Sequence, residues 1–142
     1  MPEAERTIGI RRPAPEVFDY VSDGLNGPNW RSGVLDVALQ SGSGANAVYR
    51  QGVRGPGGRR IAADYAITAW EPGRRLAFQA IAGPVRPAGA YTFEADGEGT
   101  RLTFSLHVDL SGWKRLLMGG SVQSTMDAEM GALDRLKAIL EA

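Results

Sequence analysis

The chain has 142 residues, of which 43% are hydrophobic, with 16 Lys and Arg balanced by 16 Asp and Glu and no cysteine. That is enough chain for one domain, residues 1–142, with its own core. It excludes a global basic field for nucleic acid, and it excludes disulfides, thiolate metal sites and a cysteine nucleophile. No apolar run approaches the roughly 20 residues of a membrane span, and the charged first dozen residues lack the apolar core of a secretory signal, so a soluble, cytoplasmic chain is expected.

Residues 6–11 alternate weakly, with Ile8 and Ile10 on one face, and predict a first strand. A short helix is predicted over residues 13–21. Pro15 suits the first helical turn, where a missing N–H costs nothing, and Glu16 suits the positive end of the helix dipole. Val17, Phe18 and Val21 share one face, and Asp23-Gly24 ends the helix. Residues 26–29 read as a loop or a broken second helix, followed by Trp30. The period then falls to two, with strands predicted at residues 34–40, 47–54, 60–70, 75–82, 85–95 and 100–110. The connections are Gly- and Pro-rich and too short for parallel crossovers. In the last strand Leu102, Phe104, Leu106, Val108 and Leu110 fall on one face, with Arg101, Thr103, Ser105, His107 and Asp109 on the other. That describes a sheet with one covered face. From Ser111-Gly112 to Glu141 the period is helical, with a break or kink expected at Gly119-Gly120. Val122, Met126, Met130, Leu133, Leu136 and Leu140 form its apolar stripe. The class is α+β, with a long amphipathic helix against one antiparallel sheet of seven strands.

Four segments occur in one order along the chain. They are Pro15-Glu16-Val17-Phe18-Asp19-Tyr20-Val21-Ser22-Asp23 followed by Trp30, then Trp70-Glu71-Pro72-Gly73-Arg74-Arg75-Leu76-Ala77-Phe78, Gly99-Thr100-Arg101-Leu102-Thr103, and Leu133-Asp134-Arg135-Leu136-Lys137. With the element order they make the chain resemble the START-like (SRPBCC, Bet v 1-like) superfamily, in its polyketide cyclase/dehydrase-like branch. The resemblance implies a helix-grip fold, in which a curved sheet wraps the long helix around a hydrophobic cavity. Members of the superfamily bind lipids, sterols, polyketides or other hydrophobic molecules. Some catalyse cyclisation or dehydration, and others serve as subunits of larger assemblies. No universal catalytic motif comes with the resemblance, so function must be argued from the site.

Alternation predicts the inward face. Tyr49, Gln51, Tyr65, Ile67, Phe78, Tyr91, Phe93, Phe104 and Leu106 are expected to line a ligand pocket from the sheet, with Val122, Met126 and Met130 from the helix. The same residues would also make a filled core. Trp30 is expected either at the cavity entrance or as a loop anchor, and Trp113 with Leu116, Leu117 and Met118 as a lid hinged at Gly119-Gly120. Glu129 falls within the apolar stripe. A desolvated carboxylate there suits general acid or base work, with Tyr65 or Tyr91 assisting, and the plainer alternative is an ion pair with an arginine.

His107, the single histidine, is expected at the surface, which leaves no histidine cluster for a metal, although an all-carboxylate site stays open. Gly42-Ser43-Gly44-Ala45-Asn46-Ala47 fits a dinucleotide fingerprint by spacing, but strands on both sides make it a turn. Residues 54–60 read as a hairpin with solvated arginines rather than an anion cradle. The leading expectation is binding of a small hydrophobic or aromatic, lipid- or polyketide-like molecule. The alternatives are a cyclase/dehydratase-type enzyme using Glu129 and a protein-interaction module. No cofactor, metal or nucleic-acid partner is implied. The oligomeric state is left open, a dimer included.

Overall fold

The computed structural model describes residues 3–110 and 112–142; the side chains of residue 56 and of residues 112–121 lie outside that description. Among the described residues eight strands occur: β1 (Glu3–Ile10), β2 (Val34–Ser41), β3 (Val48–Arg54), β4 (Arg60–Ala62), β5 (Tyr65–Glu71), β6 (Arg75–Ala80), β7 (Ala88–Asp96) and β8 (Gly99–His107). They form one sheet in the order β1-β8-β7-β6-β5-β3-β2, with β4 paired to β3 off that path. Every pairing is antiparallel. Helix α1 (Ala14–Ser22) and a single turn, α2 (Gly27–Trp30), separate β1 from β2, and α3 (Gly112–Glu141) closes the chain. This is the expected helix-grip arrangement. The Gly119-Gly120 pair falls inside α3, which is one continuous element.

The strand expected over residues 60–70 is divided into β4 and β5. Both halves keep one register against β3, with Val53 opposite Ile61 and Tyr49 opposite Tyr65. The ladder lapses at Asp64 because its carboxylate, not a backbone carbonyl, accepts the Gln51 N–H at 3.0 Å. Strand β7 starts later than the alternation suggests. Pro87 lacks an N–H for a ladder, and the Gln79 amide holds the loop carbonyls of Arg86 and Pro87. Residues 108–110 lie beyond β8, but Val108 and Leu110 remain buried.

The core gathers where α1 and α3 meet β1, β7 and β8. Leu133 and Leu136 of α3, Val17 and Phe18 of α1, Ile10 of β1, and Leu102 and Phe104 of β8 are fully or almost fully buried. Each such side chain contributes roughly 1.5–3 kcal/mol through burial. Phe18 meets Trp70 and Phe93 edge-on, with ring centroids 5.1 and 5.3 Å apart. Thr100 is buried with its hydroxyl satisfied, donating to the Arg12 carbonyl at 2.7 Å. The C-terminal half of α3 is tied to β1 by charge. The Arg6 guanidinium grips both Asp134 oxygens at 2.6 and 3.1 Å and also donates to the Met130 carbonyl. Glu141 accepts from the Arg11 backbone N–H and from Lys137.

Candidate ligand cavity

The other half of the sheet does not close on α3. Between them lies a partly open cavity of about 290 Å³, near the lower end for small-molecule sites. Its apolar wall comes from Ile67 of β5, Leu76 and Phe78 of β6, Tyr91 of β7, Phe104 and Leu106 of β8, and Val122 and Met126 of α3. Trp30 completes it from α2, buried and edge-on to Tyr91 at 6.4 Å rather than standing at an entrance. The Tyr91 ring stacks on Phe104, with centroids 4.3 Å apart and planes 7° from parallel. This fixes the direction of the phenol.

One polar cluster interrupts the apolar wall, and its centre is a residue that no sequence pattern singles out. Arg31 follows α2 directly. Its N–H closes the last turn on the Gly27 carbonyl at 2.9 Å. Its guanidinium donates through Nε to Glu129 Oε2 at 3.0 Å, through Nη2 to Oε1 at 3.1 Å, and through Nη1 to Gln51 Oε1 at 3.0 Å. Gln51 in turn donates through Nε2 to the Ala63 carbonyl. Glu129 is therefore half of a bidentate ion pair, the plainer of the two readings its position allows, and both of its oxygens are engaged. The two side chains keep 18% and 15% of their surface, so the pair sits largely out of water. Burial works against the Arg31 charge, but the Glu129 carboxylate outweighs it and holds the guanidinium charged beyond its ordinary range.

Two phenols flank the pair. Burial pushes Tyr65 up to about 12 against the opposing pull of Arg31. Burial also raises Tyr91, in the same balance with Arg31. Both stay protonated at neutral pH and can donate. Neither hydroxyl has a hydrogen-bond partner among the described residues, and no fully buried described side-chain N or O atom lacks one. The two hydroxyls therefore open onto the cavity. Tyr65 is held from behind by Tyr49, stacked at 5.1 Å, whose hydroxyl accepts the Gly24 N–H at 3.3 Å. Only glycine fits at residue 24, since a Cβ there would come within 2.4 Å of the Tyr65 hydroxyl.

The structure thus brings Trp30, Gln51, Tyr65, Ile67, Phe78, Tyr91, Phe104, Leu106, Val122, Met126 and Glu129 to one cavity. Three expected lining residues are not among them. Tyr49 backs Tyr65. Phe93 is packed between Phe18 and Tyr91. Met130 is buried beside Glu129 in the sequence, but in the core. Alternation marks a face as inward but does not distinguish the hollow part of that face from the filled part. Trp113 and the expected lid of Leu116, Leu117 and Met118 lie outside the described side chains.

The family model described as polyketide cyclase / dehydrase and lipid transport matches residues 1–141. The chain belongs to that family. Solved structures agree on the fold. The protein TTHA0849 from Thermus thermophilus superposes with a TM-score of 0.82 at 21% identity, covering 98% of this chain and 97% of that one. The Zhui aromatase/cyclase from Streptomyces sp. R1128 gives 0.76 at 19% identity, covering 98% and 93%. A START superfamily protein from Mycobacterium smegmatis gives 0.65 at 15% identity, covering 94% and 98%. No curated protein matches the sequence.

Elsewhere in this polyketide cyclase family chain, a second and more polar cleft of about 500 Å³ lies behind the β6–β7 loop. Its lining includes Arg86, His107 and Asp109, and it shares Pro84 and Val85 with the first cavity. His107 is exposed, as its place on the strand predicts. The Gly42–Ala47 stretch is a turn between β2 and β3. Residues 54–60 form the β3–β4 hairpin, in which Arg60 pairs with Asp36. Among the described residues no group of three or more His, Cys, Asp or Glu could hold a metal ion, and no helix is long and apolar enough to cross a membrane.

Proposed function

We propose that this protein binds a small, largely apolar, ring-bearing molecule between sheet and α3, with the polar end of the ligand directed at Arg31, Tyr65 and Tyr91. The observation that carries this reading is the pair of unpartnered phenol hydroxyls facing an apolar cavity beside a guanidinium. Donors with no protein acceptor are left to water in the cavity, and a ligand oxygen can take the place of that water. Membership of a family whose description names cyclases, dehydrases and lipid transport supports the same reading. An acid–base role for Glu129 is less well supported, because the bidentate contact with the Arg31 guanidinium favours the ionised carboxylate and so weakens it as a base. The test is native mass spectrometry of the purified protein, followed by denaturing extraction and addition of candidate aromatic ketones and lipids. A one-to-one adduct that is lost in a Tyr65→Phe, Tyr91→Phe variant of unchanged melting temperature supports the reading. Absence of any adduct across those compounds contradicts it.

A further inference from the structure

We propose that the cavity selects neutral, oxygen-bearing ligands over carboxylates, and that Glu129 is the specificity-determining residue because it already occupies Arg31. The proposal rests on the cavity being a binding site. The described wall contains four charged residues, Asp23, Arg31, Arg54 and Glu129, which sum to zero. Asp23 and Arg54 are exposed, so of the charged residues in the described wall only Arg31 and Glu129 sit largely out of water.

A guanidinium carries five N–H donors. Three of them are spent here, two on Glu129 and one on Gln51, so one remains on each Nη. These two and the Tyr65 and Tyr91 hydroxyls are donors awaiting acceptors. A ketone, quinone, ester or phenol oxygen accepts from them without disturbing the pair. A ligand carboxylate would share one guanidinium with Glu129, and two carboxylates at one desolvated cation repel until one takes up a proton. The Tyr65 and Tyr91 phenols stay protonated and can donate to either class of ligand oxygen, so the discrimination is carried by the Glu129 charge already at Arg31.

The probes are 2-acetylnaphthalene and 2-naphthoate, which share a ring system and differ in charge at the polar end. Calorimetric titration at pH 7 should find the ketone bound at least about tenfold more tightly than the acid, the scale of one lost charged contact. In Glu129→Gln, Arg31 is released to a ligand anion, and the ratio should fall by about tenfold or invert. Equal affinities in the unmodified protein, or an unchanged ratio in Glu129→Gln, overturn the proposal. If Glu129→Gln does not fold, the paired variant Arg31→Met, Glu129→Leu replaces it. A fall in the ketone-to-acid ratio there supports the proposal, and an unchanged ratio overturns it, whatever the change in absolute affinity. Binding of neither probe to the unmodified protein overturns the cavity reading, and this proposal with it. Binding of both probes equally overturns the selectivity alone.

Discussion

Arg6 with Asp134 and Arg31 with Glu129 are the same chemical pair in two settings, little more than a turn apart on α3. Both are bidentate arginine–carboxylate contacts. The outer pair keeps 35% and 67% of its side-chain surface, and the inner pair 18% and 15%. In water such a pair adds little to stability and is screened by salt. In an apolar wall the cost of desolvating both ions rivals their attraction, and a well-packed apolar pair of the same volume does at least as well. The outer pair, with Arg11, Lys137 and Glu141, is therefore a stitch between β1 and the end of a helix already held by Leu133 and Leu136. The inner pair adds little that packing could not supply, which agrees with the proposal that its donors serve a ligand.

The largest expected effect follows from breaking the inner pair. Arg31→Met or Glu129→Leu alone strands a desolvated charge and should cost about 3 kcal/mol in urea unfolding. The two together should recover most of that loss. Single variants without effect would mean that the pair is solvated like the outer one.

The outer set should show itself in acid. Lys137 and the Arg11 backbone N–H hold Glu141 down to about 2, and the Arg6 hydrogen bonds lower Asp134. A lowered folded-state value gives stability that is complete above the unfolded carboxylate range, about pH 4. That stability is lost as the pH falls towards about 2. Melting curves from pH 5 to 2 should decline over that window, less steeply in Asp134→Asn. An identical decline in that variant would remove Asp134 from the account.

The scaffold was far more legible in sequence than either arginine–carboxylate pair. Strict alternation from Leu102 to Leu106 and the stripe from Met126 to Leu136 encode which faces are covered, because burial repeats with the backbone period. Glu129 stood out as a charge within that stripe, so the need for a cation was readable. Its partner was not, because Arg31 sits in a connection without periodicity, one of 14 arginines in the sequence. The division of β4 from β5 was hidden for a similar reason. It depends on one side-chain oxygen of Asp64 reaching a backbone N–H thirteen residues away. Tyr49, Phe93 and Met130 share the inward period of the lining residues, and only the packing of Phe18, Tyr65 and the core determines that they back the cavity rather than line it.

The most direct measurement is an NMR titration of the protein with 2-acetylnaphthalene, following the arginine Nε–H and tyrosine ring signals. A ligand anchored at the inner pair should shift Arg31, Tyr65 and Tyr91 together and leave Arg6 at the outer pair unmoved. Shifts that bypass Arg31, or that move Arg6 equally, would contradict the claim that the inner pair exists to meet a ligand.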